Sequence, residues 1–139
     1  MALSTSSTIP ARGKVFEATG GVVKFAPANT TYRLHLSAPA YDGPLNAPVE
    51  GVIRVQARKT YTVPSGGNFI SPIYGPPRTI QGRVRAVEGN SIIVQAGVPI
   101  HVEMPPEASA VELANGAIAV GSLVNVVALP GASFEPINK

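Results

Sequence analysis

The 139 residues include no cysteine, which excludes disulfides, thiolate metal sites and a cysteine nucleophile while leaving the redox compartment open. Charge is also scarce. Only 14% of residues are charged, against roughly a quarter in an average soluble domain, so much of the surface is neutral. No apolar run approaches the roughly 20 residues of a membrane-spanning helix, and the opening MALSTSSTIPARG has neither a basic start nor an apolar stretch of the secretory kind. The expectation is a soluble, cytoplasmic chain with no membrane partner. Residues 1–12, rich in Ser and Thr with nothing to bury, are expected to form a mobile tail.

Local signatures of catalysis are missing as well. The two histidines, His35 in RLHLS and His101 in PIHVE, each stand among apolar residues, with no His-x-x-x-His spacing to suggest a metal site. Strand alternation sets His35 outward with Arg33 and Ser37, opposite Tyr32, Leu34 and Leu36. Ser65 in VPSGG lacks the Gly-x-Ser-x-Gly elbow, and the Gly66–Gly67 pair lacks the Lys-Ser/Thr that a phosphate loop needs. The carboxylates are scattered singly. The reading is therefore no enzyme, no metal, no cofactor and no evident small-molecule substrate.

What the chain does contain is punctuation. Fourteen Gly and fourteen Pro, set among abundant Val, Ile and Thr, point to many short strands joined by tight turns, hence an all-β fold. The length suits one ordinary domain or two very small ones.

A repeat organises the chain. GKVFEATG (Gly13 to Gly20) and GRVRAVEG (Gly82 to Gly89) share Gly, a basic residue, Val and a second Gly at one spacing, and the segments that follow keep a common order of features. The halves run from 13 to 67 and from 82 to 135. In the second, strands are expected at 80–88, 91–96, 98–104, 117–120 and 123–129, with a short helix in PPEASAVELANG between Pro105 and Gly116. Three strands, a helix and two strands is similar to the order of an OB-type barrel. In the first half a loop, AYDGPLNAPVE, replaces the helix, and strand 49–63 is long enough to bend or to be shared between halves.

Charge separates along the chain. Residues 1–85 hold ten cations against three acids, a balance of +7; residues 86–139 hold one cation against five acids, a balance of −4. On strand 49–63, alternation sets Ile53, Val55, Ala57, Tyr61 and Val63 on one side and Arg54, Gln56, Arg58, Thr60 and Thr62 on the other. Lys24, Arg33, Arg54 and Arg58 are thus the candidate basic face, able to track phosphates or to meet another subunit. An OB-type nucleic-acid platform also needs aromatics on its second and third strands, and none is available there.

Between the halves, residues 68–81 combine turn formers with Phe69, Ile70, Ile73 and Tyr74, which a solvated linker would not need. An ordered strap is expected, docked in the groove between the halves or on a neighbouring copy. The functional expectation is a structural, self-assembling homo-oligomer or binding module, with single-stranded nucleic-acid binding through the basic first half as the alternative.

Overall fold

The computed structural model describes residues 9–39, 41–88, 91–104 and 118–137. Regular structure among them is entirely β: β1 (Ala11–Thr19), β2 (Val22–Pro27), β3 (Arg33–Ser37), β4 (Pro48–Thr62), β5 (Phe69–Ser71), β6 (Tyr74–Gly75), β7 (Thr79–Glu88), β8 (Ser91–Gln95), β9 (Pro99–Glu103), β10 (Leu123–Ala128) and β11 (Ser133–Pro136). The expected helix and the Gly89–Asn90 turn lie outside the described residues. The strand expected at 117–120 does not form over its described part. Val120 and Gly121 instead make a turn, closed by Ser122 N–H donating to the Ala119 carbonyl and docked by Gly121 N–H on Val84, which delivers the chain directly into β10.

All eleven strands belong to one sheet, in the order β1-β2-β3-β11-β4-β10-β7-β8-β9, with β5 on β7 and β6 on β3. Both ends of that order return to β4, through β1–β4 and β4–β9, so the sheet closes partly into a ring. β4 is the hub. Its residues 48–51 pair with β1, 51–54 with β11, 54–56 in parallel with β9, and 57–62 with β10. Its one proline, Pro48, stands at the first residue, where a strand tolerates it, whereas Pro130 and Gly131 separate β10 from β11.

The hub also corrects the expected alternation. Ile53, Val55 and Ala57 are buried as the period of two requires, but Thr60 is buried and Tyr61 exposed, the reverse of the expectation. Val127 pairs with Lys59 and Ala128 with Ala57, which leaves Arg58 as an extra residue on β4. A bulge shifts every later side chain to the other face.

Each end of the molecule has a short antiparallel meander: β1–β2–β3 and β7–β8–β9. β1 slips register between Val15 and Glu17, and β7 between Val84 and Ala86. Between them lies one contiguous apolar core that draws Phe25, Leu34 and Leu36 from one end, Ile80, Ile92 and Ile100 from the other, and Ile53 from the hub. Each such side chain contributes about 1.5–3 kcal/mol relative to exposure. Phe134 of β11 closes one end by stacking on Phe25 with ring centroids 4.8 Å apart.

Candidate binding surfaces: the strap and an outer groove

The 68–81 segment is ordered because its backbone pairs at both ends. β5 adds to β7, opposing Phe69 to Gln81 and Ile70 to Ile80, and β6 lies parallel to β3, opposing Tyr74 to Arg33. Ile70 is buried in the common core. The Tyr32 hydroxyl accepts from Ile70 N–H at 3.1 Å and the Ile73 carbonyl accepts from Arg33 N–H at 2.7 Å. The other three apolar side chains are not covered: Phe69 is 37% exposed, Ile73 56% and Tyr74 57%. The expectation that all four are buried therefore holds within this chain for Ile70 alone: alternation in β5 turns Phe69 away from Ile70, while Ile73 lies between the two short strands and Tyr74 opens β6.

Removal of the Tyr32 hydroxyl offers a direct check on how the strap is held. Tyr32→Phe is expected to cost about 1 kcal/mol, the usual net value of one hydrogen bond. Amide exchange should accelerate at Ile70 while core amides of β7 and β10 keep most of their protection.

Tyr74 supplies what the meander lacks. Its ring stands edge-on to His35, with centroids 4.9 Å apart, and its hydroxyl accepts from Lys24 Nζ at 3.4 Å. Lys24 also pairs with Glu17 at 3.3 Å. These two hydrogen bonds, the one it donates to Tyr74 foremost, hold its ammonium pKa above the ordinary value. An aromatic is thus laid over β2 and β3 although neither strand carries an outward one. The clue in the sequence was a Tyr between Ile73 and Gly-Pro-Pro, but only the β6 pairing assigns it to this face. The other candidate basic residues differ in their surroundings. Arg33 donates to the Tyr32 carbonyl, Arg54 pairs with Glu135 at 3.2 Å, and Arg58 sits on the β4 bulge with no hydrogen bond or ion pair among the described residues.

A second concave surface, of about 640 Å³, lies on the outer side of β7, β8, β9 and β4, walled by Pro130, Gly131 and Ser133. The strand registers order its floor into rows. Arg54 stands beside His101, which stands beside Ile93; two residues on, Gln56, Glu103, Ser91 and Glu88 form the next row. His101 is half-buried, and with hydrogen on Nε2 it donates to the Ile9 carbonyl at 3.1 Å. Burial lowers its pKa from the ordinary 6.5, assisted by the nearby Arg54 charge and opposed by the Ile9 bond. Sequence reading put weight on Arg54 but overlooked Glu88, Ser91 and Glu103, which converge only through strand pairing.

The sign of the His101 effect follows from linkage. Below 6.5 the unfolded chain takes up its proton before the folded chain does, so stability present above that pH is lost as pH falls through the lower folded value. Thermal unfolding followed from neutral to mildly acid pH should show this loss. His101→Gln should flatten the slope within that window; an unchanged slope would remove His101 as its source.

Among the described residues no group of three or more His, Cys, Asp or Glu could hold a metal ion, and no helix is long and apolar enough to cross a membrane. The chain matches no protein-family model and no curated protein.

Proposed function

We propose that this chain is a non-enzymatic, self-assembling β module built from two similar OB-like halves that exchange strands. Matched registers support the duplication. Val15 opposes Phe25 and Val84 opposes Val94, each just before a bulge; Lys24 opposes His35 and Ile93 opposes His101. β3 runs parallel to β11 as β9 runs parallel to β4. In this reading β11 completes the first half and the C-terminal part of β4 completes the second, so each half needs a strand from the other.

The observation that carries the assembly reading is the strap, held by backbone pairing at both ends yet leaving Phe69, Ile73 and Tyr74 outside. From side-chain size these three present on the order of 200–300 Å² of apolar surface, enough for the centre of an interface of about 800 Å² per partner. A second copy is the favoured occupant, because the +7 and −4 segments allow charges of one copy to orient on those of another. Salt should slow association more than it reverses it, since burial of apolar surface supplies most of the free energy.

Light scattering at two salt concentrations tests this directly. The expected result is a species larger than one chain at both, and a monomer at high micromolar concentration would sink the reading. Tyr74 above Lys24 and beside Arg33 also supports the second reading, single-stranded nucleic-acid binding. That reading requires an oligonucleotide to bind at low salt with affinity falling steeply as salt rises, and to bind more weakly when Arg54 and Arg58 are both replaced.

A further inference from the structure

We infer that the outer groove is a binding site for a small zwitterion of the α-amino-acid class, independent of the assembly surface. Its volume of about 640 Å³ lies within the usual range for small-ligand sites, and its lining carries both signs of charge in separate rows. Glu103 and Glu88 flank Ser91 on one row. Neither carboxylate has a hydrogen bond or ion pair among the described residues, so both can accept from an ammonium group.

The neighbouring row supplies the opposite end. Arg54 directs Nε and Nη2 to a single oxygen of Glu135, at 3.3 and 3.2 Å, which leaves Nη1 uncommitted. Both distances are long for charge-assisted bonds, so the guanidinium is loosely held and able to take a carboxylate. His101 stands beside it. Rows two residues apart along a strand are separated by about 7 Å, a span that an α-ammonium and α-carboxylate bridge with one hydrogen bond at each end. Pro130 offers apolar surface to the ligand's carbon chain. A lone anion would leave the Glu row unmatched, and a lone amine would leave the Nη1 donor of Arg54, which Glu135 does not take, without an acceptor.

The test uses three probes of nearly equal shape on the whole chain: L-leucine, 4-methylpentanoate, which lacks the ammonium, and 3-methylbutylamine, which lacks the carboxylate. His101 ring resonances report binding. Leucine is expected to bind at least about 10-fold more tightly than either single-charge probe. Glu103→Gln should weaken leucine about 10-fold and leave 4-methylpentanoate unchanged, whereas Arg54→Gln should weaken both. Both substitutions are on the surface, and an unchanged amide spectrum elsewhere verifies their fold. The inference is overturned if leucine produces no response, if 3-methylbutylamine binds as well as leucine, or if Glu103→Gln leaves leucine affinity intact. Because the readout does not depend on oligomer size, its failure is separate from failure of the assembly reading.

Discussion

Replacing Phe69 and Tyr74 together by Ser is expected to convert the assembled protein to single chains without unfolding it. Tyr74 is more than half exposed and Phe69 about a third, while the features that hold the strap, Ile70 in the core and the β5 and β6 pairings, are untouched. Aromatic anchors at the centre of an interface typically cost about 2 kcal/mol or more each on truncation, so the pair should weaken association roughly 1,000-fold. The intrachain loss comprises the covered part of Phe69, the edge contact of Tyr74 with His35, on the order of 1 kcal/mol or less, and the contact of Tyr74 with Lys24. Light scattering and thermal unfolding on the same samples separate the outcomes. A smaller species with a small drop in melting temperature supports assembly through the strap. Unchanged size with a clear loss of stability would instead mean that the strap serves only its own chain.

The largest loss of stability is expected from Gly13→Val and Gly82→Val. These glycines open the two repeated octets, and the structure supplies a reason for the residue type. A Cβ at Gly13 would run into the carbonyl of Ala26, and one at Gly82 into that of Gln95. The obstacle is backbone of the paired strand in both cases, so rotating a side chain cannot relieve it. Each Val variant should lose about 3 kcal/mol or more, with Ala milder but still destabilising, because the pairing ahead of each bulge must shift. Denaturant unfolding measures the effect. Gly67→Ala serves as the control, since nothing lies within 4 Å of its added Cβ, and should change stability little. A tolerated Val at either octet position would mean that the two meanders are less tightly crossed than their registers indicate.

Several elements were legible before any coordinates. Alternation in RLHLS correctly sorted Leu34 and Leu36 inward from His35, because a strand covered on one face reveals itself by a period of two. Sparse charge with many β-branched residues and turn formers was enough for an all-β chain. The same rule misled beyond Ala57, because a bulge is set by what the partner strand can pair with and leaves no local mark. VPSGGNFISPIYGPPRTI reads as a strap, and within it β5 and β6 pair with β7 and β3. Which of its side chains would remain outside was not legible, because that depends on the strand edges left open at β3 and β7. The outer groove was not legible at all. Glu88, Ser91, His101 and Arg54 are dispersed over some fifty residues, and only the antiparallel β7–β8–β9 register and the parallel β4–β9 pairing align them.

The sequence by itself determined the strand class, the lack of thiol chemistry, and the division of charge between the two segments. Each of these is a property of local composition, period or spacing, carried by residues close together in the chain. Only the tertiary structure decided that β4 would serve as a common hub, that Tyr74 would lie over β2 and β3, and that three apolar strap residues would face out. Those outcomes depend on long-range backbone hydrogen bonds, which any residue but proline can donate, and a strand's amino acids therefore do not encode which distant edge it will join.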